Sequence, residues 1–133
     1  MPRNRKIGSV LIVEDDTVLA LDAQDALTGA GAKQVDIVTT TEDALVHLRS
    51  AKPDAILLDV YLADRDDGWA IAELVHEVGP RPPKIVFSTG APADIPPEIA
   101  KLGTLLEKPY SHEQLINAVC GSAPKGLLAS LRR

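Results

Sequence analysis

The chain has 133 residues, which suits one domain with one hydrophobic core, and its net charge is −5. Basic residues cluster only at the two ends, in residues 3–6 and 132–133, so no direct nucleic-acid partner is expected. The single cysteine, Cys120, excludes an internal disulfide, and no apolar stretch approaches the roughly 20 residues of a membrane span. Together these features predict a cytoplasmic protein that binds neither nucleic acid nor a membrane.

Short apolar segments of β-forming residues alternate with helical patterns along the chain. The predicted strands, in chain order, are residues 9–13, 34–38, 54–59, 84–88 and 104–106. The predicted helices, in the same order, are residues 17–30, 41–50, 69–78, 97–102 and 111–120. This alternation predicts an α/β fold, a flavodoxin-like, doubly wound, five-stranded parallel sheet of order 2-1-3-4-5. Prolines in residues 91–97 leave room for only a short or mobile fourth helix.

Acidic side chains follow two strands that the predicted order makes neighbours. Glu14, Asp15 and Asp16 come directly after the first strand, and Asp59 ends the third. Carboxylates a few ångströms apart repel one another, so either they share a proton or a divalent cation lies among them. Mg²⁺ prefers oxygen ligands and commonly uses one or two carboxylates together with a phosphate. The pattern therefore favours a Mg²⁺ site at this edge of the sheet, with Asp16 expected to cap the first helix.

Two further polar side chains are expected at the same edge. The fourth strand ends in Ser88-Thr89-Gly90, which provides a hydroxyl, and the fifth ends in Glu107-Lys108-Pro109, which provides an ammonium group. A hydroxyl, a lysine charge and a metal ion around one carboxylate are typical of a phosphate-binding site. Each residue alone has an ordinary structural explanation, but their appearance at the ends of consecutive strands favours the functional one.

In these motifs the chain resembles the receiver domains of two-component response regulators. The resemblance spans roughly residues 10–119 and is carried by VLIVEDD, by DAILLD with its terminal Asp59, by Thr89-Gly90 and by Lys108-Pro109. It implies a receiver domain at residues 9–120, between an N-terminal tail at 1–8 and a C-terminal tail at 121–133. Leucines in the C-terminal tail are compatible with a short helix.

The resemblance also implies roles for individual residues. Asp59 would be the phosphoacceptor, while Thr89 and Lys108 would contact the phosphoryl oxygens. The peptide bond between Lys108 and Pro109 would be cis. The implied Mg²⁺ ligands are the carboxylates of Glu14, Asp15 and Asp59 and the backbone carbonyl of Tyr61.

The function implied by the resemblance is that of a stand-alone receiver. It would take a phosphoryl group from the phosphohistidine of a sensor histidine kinase or a histidine phosphotransfer protein, then signal through a downstream protein or act as a phosphate sink. It would be a monomer or weak homodimer, and not an enzyme beyond slow self-dephosphorylation. Two alternatives are a pseudo-receiver that only binds and an aspartyl-phosphate phosphatase. Such phosphatases usually carry a second Asp two residues after the nucleophile, where this chain has Tyr61.

Several positions depart from the commonest receiver pattern. Leu105 stands where receivers often have an aromatic switch residue, and the loop after Asp59 lacks a proline near Ala63 and is about one residue longer. Residues 87–90 (FSTG) and 108–110 (KPY) resemble a subgroup of single-domain receivers with Phe-Ala-Thr-Gly and Lys-Pro-Phe, frequent in alphaproteobacteria. The side chain of Tyr110 either packs against the domain or belongs to a partner surface, and the sequence leaves both open.

Overall fold

The strands of the chain assemble into one parallel sheet in a computed structural model that describes residues 7–59, 71–72, 75 and 82–121. The strands are β1 (Ser9–Val13), β2 (Gln34–Val38), β3 (Ala55–Asp59), β4 (Lys84–Thr89) and β5 (Thr104–Glu107). They lie in the order β2-β1-β3-β4-β5, and each neighbouring pair is parallel. This arrangement confirms the predicted flavodoxin-like topology.

Helices cover the sheet. Numbered among those whose bounds are described, they are α1 (Thr17–Gly29), α2 (Thr41–Ser50), α3 (Pro97–Ala100) and α4 (His112–Cys120), and a 3₁₀ turn (Pro92–Asp94) precedes α3. The predicted short helix at 97–102 is shorter still, and ends at Ala100. Of the helix predicted at 69–78, Ile71, Ala72 and Val75 are helical and buried, while its remaining residues and both predicted tail ends, 1–6 and 122–133, lie outside the described residues. Within the described ranges, no helix is long and apolar enough to cross a membrane.

Side-chain hydrogen bonds fix the starts of three helices. Asp16 caps α1, as expected, because its carboxylate accepts hydrogen bonds from the backbone N–H groups of the first turn. Thr40 caps α2 in the same way. Ser111 and Gln114 form a reciprocal capping box at the start of α4, so α4 itself begins one residue later than predicted.

Alternating side chains of the strands form two separate hydrophobic clusters. On one face, Ile12, Leu57 and Val86 pack against α1 and α4, and on the other Leu11, Ile56 and Phe87 pack against α2 and α3. We call these the α1–α4 face and the α2–α3 face. Burial on both faces explains why β1 and β3 are mostly apolar. The same alternation places Glu14, Asp59 and Ser88 on the α1–α4 face, each two residues beyond a member of its cluster.

The amino ends of the strands are fastened by Asp54. Its carboxylate accepts a hydrogen bond of 2.9 Å from the backbone N–H of Ser9, which ties the segment before β3 to the start of β1. Gly8 has a φ of +69°, and a Cβ there would collide with the same carboxylate, so only glycine fits. β3 begins at Ala55, one residue after the predicted start.

Gly103 allows β5 to approach β4 closely, and its replacement should destabilise the fold. A Cβ on Gly103 would overlap the backbone carbonyl of Ile85, which is part of the sheet and cannot move alone. We expect Gly103→Ala to lower the free energy of unfolding by about 1–3 kcal/mol, measured by urea denaturation. The control is Gly29→Ala at the end of α1, where no atom lies within 4 Å of the new Cβ. Equal stabilities of the two variants would contradict the prediction.

Candidate functional site

Three carboxylates converge at the carboxyl ends of β1 and β3. One oxygen each from Glu14, Asp15 and Asp59 lies within 4.8 Å of the others. The convergence follows from the register of the two strands, because Val13 pairs with Leu58 and the next residue of each strand is an acid. Glu14 and Asp59 are buried, at 4% and 6% exposure, whereas Asp15 is exposed. The sequence-predicted acids are therefore together, two of them withdrawn from solvent.

The ammonium group of Lys108 lies against this acidic group. Its Nζ is 3.1 Å from Oε1 of Glu14 and 3.7 Å from Oδ2 of Asp59. The backbone N–H of Lys108 donates to the carbonyl of Thr89 at 2.8 Å, which holds the end of β5 beside β4. The bond between Lys108 and Pro109 is cis, as the resemblance implied. The direct pairing of Lys108 with Glu14 was not foreseen, since the two are 94 residues apart in sequence.

The end of β4 contributes two buried hydroxyls. Thr89 is 1% exposed, and its Oγ1 accepts a hydrogen bond of 2.9 Å from the backbone N–H of Ala91, within the loop that follows the strand. Ser88 is also 1% exposed and lies in register with Asp59 on β3. Sequence reasoning had assigned a role to Thr89 and none to Ser88. The signal that could have found Ser88 is its spacing of two from Val86, which places it on the face that carries Asp59.

Two positions that the sequence analysis named, Leu105 and Tyr61, are not part of the described site. Leu105, at the usual place of the aromatic switch, lies on β5 with 41% of its surface exposed. Tyr61, the implied source of a carbonyl ligand, lies outside the described residues, as does the loop around Ala63.

Comparison with known proteins identifies the family. A family model described as the response regulator receiver domain matches residues 10–120. The chain belongs to the response regulator receiver family. Receiver domains are the phosphoacceptor modules of two-component signalling.

Three relatives show how far the similarity extends. Sensory transduction protein LytT of Bacillus cereus is 38% identical over 82 residues, 59% of this chain and 32% of LytT, so the chain spans about a third of that relative. Two-component response regulator ORR41 of Oryza sativa is 32% identical over 117 residues, 84% of this chain and 91% of ORR41. A CheY-like receiver domain from Methylobacillus flagellatus superposes with a TM-score of 0.74 at 27% identity, covering 94% of this chain and 98% of that one.

The acidic group of this receiver domain has the donor chemistry that Mg²⁺ requires. Two oxygens bound to one Mg²⁺ at about 2.1 Å can be at most about 4.2 Å apart, so oxygens within 4.8 Å need only small shifts. Receiver domains typically bind Mg²⁺ at such an acidic site. Glu14, Asp15 and Asp59 are the described residues that would hold the ion.

Charge repulsion within the site is partly relieved by a proton. Burial, together with a hydrogen bond and the charge of Asp59, raises the pKa of Glu14 to about 7, although Lys108 opposes the rise. Burial works against the charged form of Lys108, but the charge of Asp59 and the hydrogen bond to Glu14 raise the pKa of this ammonium group overall. Near neutral pH, metal-free Glu14 is therefore poised to exchange its proton for a cation.

This titration predicts a pH-dependent stability in the absence of divalent cations. The folded chain keeps the Glu14 proton up to a pKa of about 7, whereas the unfolded chain releases it near the ordinary value of 4.5. The contribution is therefore complete below pH 4.5 and is lost as pH rises to about 7, a decrease of about 3 kcal/mol. Urea unfolding in the presence of a chelator should show this decrease, and Mg²⁺ should restore stability at pH 8 more than at pH 5.

The matched variants for this experiment are Glu14→Gln and Glu98→Gln. Glutamine at position 14 cannot titrate, so the decrease between pH 4.5 and 7 should disappear. Glu98 is exposed on α3, and its replacement should leave the decrease unchanged. A decrease that persists in Glu14→Gln would assign it to another group.

Proposed function

We propose that this receiver domain accepts a phosphoryl group on Asp59 from a phosphohistidine, with Mg²⁺ held by Glu14, Asp15 and Asp59. The observation that carries the proposal is the convergence of these three carboxylates with the ammonium group of Lys108. Asp59 has both a buried environment and a cationic neighbour, which suit a carboxylate that must meet an anionic phosphoryl group.

Each residue has a separate part in the transfer. An oxygen of Asp59 attacks phosphorus in line, a P–O bond forms, and the P–N bond to histidine breaks, leaving its electron pair on the imidazole nitrogen. Lys108 moves from Glu14 towards a phosphoryl oxygen and stabilises the charge that spreads there. Mg²⁺, held by the three carboxylates, would supply additional positive charge for those oxygens. The product is an acyl phosphate on Asp59, which water later hydrolyses.

Two finer parts of the proposal concern the remaining ligands. The hydroxyl of Thr89 bonds a phosphoryl oxygen, which pulls on the loop that its contact with Ala91 now organises. The backbone carbonyl of Tyr61, which lies outside the described residues, would be a further ligand of Mg²⁺. With Leu105 in place of an aromatic switch, the movement of Thr89 reaches the surface by another route.

The domain is proposed to work as a stand-alone regulator in a cytoplasmic phosphorelay. It acts through protein–protein contacts with a downstream partner or returns the phosphoryl group as a sink, as a monomer or weak homodimer and without an enzymatic output. The domain would occupy residues 9–120, and its FSTG and KPY segments suggest the single-domain alphaproteobacterial subgroup. The similarity to ORR41, a two-component response regulator of which this chain covers 91%, supports a role in two-component signalling.

The test is incubation with Mg²⁺ and a small acyl phosphate donor, followed by intact-mass measurement. A phosphoacceptor gains one phosphoryl group per chain and loses it slowly. A phosphatase would consume many equivalents of donor, and a pseudo-receiver would gain nothing, so either result contradicts the proposal. Repeating the incubation with the donor omitted or with the metal chelated shows that both are required.

A further inference from the structure

The hydroxyl of Ser88 is placed next to the proposed phosphoacceptor. Ser88 pairs in register with Asp59 on the neighbouring strand, and strand alternation directs both side chains to the α1–α4 face. Its Oγ is fully buried, and no hydrogen bond to it is well formed among the described residues, although the phenol of Tyr110 lies within reach. A buried hydroxyl without a well-formed hydrogen bond is unfavourable, so the hydroxyl of Ser88 can serve as a hydrogen-bond donor beside the acidic group.

Tyr110 brings a second hydroxyl to the same place. Its ring is partly buried and packs against the hydrophobic cluster of the α1–α4 face. Of the two roles that the sequence left open for this side chain, packing against the domain is therefore the one that the structure shows. Its phenol group lies beside the hydroxyl of Ser88 and interacts electrostatically with Glu14 and Lys108. Burial and the charge of Glu14 raise the pKa of Tyr110, although the contact with Ser88 opposes the rise, so at neutral pH the phenol carries a proton that it can donate.

The two hydroxyls also occur together in the sequence. The FSTG segment differs from Phe-Ala-Thr-Gly by the hydroxyl of Ser88, and the KPY segment differs from Lys-Pro-Phe by the hydroxyl of Tyr110. Each difference alone would put a polar group into an apolar layer. Together they can satisfy each other, because a hydroxyl both donates and accepts.

We propose that Ser88 and Tyr110 form a hydroxyl pair that positions the carboxylate of Asp59 for phosphoryl transfer. The phenol of Tyr110 donates to Oγ of Ser88, and the hydroxyl of Ser88 donates to one oxygen of Asp59. This leaves the second oxygen of Asp59 oriented for attack on phosphorus. The inference rests on the proposed function, and Ser88 and Tyr110 are positioning residues in it, because neither touches phosphorus.

The experiment is a double-mutant cycle on the rate of phosphoryl uptake. Ser88→Ala and Tyr110→Phe each remove one oxygen atom and keep the packing. With saturating Mg²⁺ and a small acyl phosphate donor, each should take up the phosphoryl group about 5- to 10-fold more slowly than the wild-type chain. The double variant should be no slower than the slower single variant, because either substitution alone already interrupts the hydrogen-bond chain from Tyr110 through Ser88 to Asp59.

Two further measurements separate positioning from structural damage. Ser88→Thr restores a hydroxyl and should recover most of the uptake rate, while all variants keep the wild-type Mg²⁺ affinity. Single variants with wild-type rates, or a double variant whose loss is the product of the single losses, would overturn the pair. A wild-type chain that gains no phosphoryl group would instead overturn the proposed function itself, so the two failures are distinguishable.

Discussion

Asp59→Asn is expected to abolish phosphoryl uptake while the fold stays intact. The amide has the shape of the carboxylate but is not a nucleophile towards phosphorus, so the uptake rate should fall by at least about 1,000-fold. Intact-mass spectrometry after incubation with Mg²⁺ and a small acyl phosphate donor measures the loss directly. The control is Asp25→Asn on the exposed side of α1, which should still gain one phosphoryl group.

The same variant should be more stable than the wild-type chain when no metal is present. Removing the charge of Asp59 removes one cause of the raised pKa of Glu14, and with it a repulsion that the folded state must sustain. We expect the free energy of unfolding at pH 8 to rise by about 1 kcal/mol. Lost uptake with unchanged or higher stability assigns the loss to chemistry. Phosphorylation that persists at another residue would contradict the assignment of Asp59.

Lys108→Met should have the opposite effect on stability and a large effect on uptake. Nζ of Lys108 lies 3.1 Å from Glu14 and 3.7 Å from Asp59, and both acids are almost fully buried. Without the ammonium group their repulsion is uncompensated, so the metal-free chain should lose about 1–3 kcal/mol of stability at pH 8. Phosphoryl uptake should fall by about 100-fold, because a charge that stabilises the transferred group is missing.

Methionine keeps the aliphatic part of the side chain, so the experiment isolates the charge. Lys101→Met, at the exposed end of α3, is the matched control and should change neither property. Mg²⁺ should recover part of the lost stability of Lys108→Met, because the cation offsets the same acids. A variant that takes up the phosphoryl group at the wild-type rate would remove Lys108 from the proposed mechanism.

The convergence of the acids could be predicted because it depends on topology rather than on side-chain detail. Once the strand order is 2-1-3-4-5, the residues after β1 and β3 meet at one edge, whatever their conformations. Glu14 and Asp59 follow from that rule. The exact strand ends depend on pairing that composition does not show: β4 and β5 each extend one residue beyond their predicted ends because Thr89 pairs with Glu107.

Contacts that cross several strands could not be read from the sequence. The ion pair of Lys108 with Glu14 depends on a long side chain that reaches from the end of β5 to the end of β1. Ser88 was missed because β4 is buried on both faces, so burial does not single this residue out and only its spacing from Val86 indicates its face. The hydrogen bond between Oγ1 of Thr89 and the backbone N–H of Ala91 belongs to one conformation, whereas a sequence is compatible with several.

The two edges of the sheet carry different features: a backbone anchor at one and the acidic group at the other. At the amino edge, the carboxylate of Asp54 accepts a hydrogen bond from the backbone N–H of Ser9, and Gly8, which has no Cβ, leaves room for that contact. At the opposite edge, Glu14 and Asp59 crowd together at the expense of stability. The backbone anchor and the acidic group therefore lie at opposite edges of the sheet, so substitutions in the acidic group need not disturb the contacts that fasten the strands.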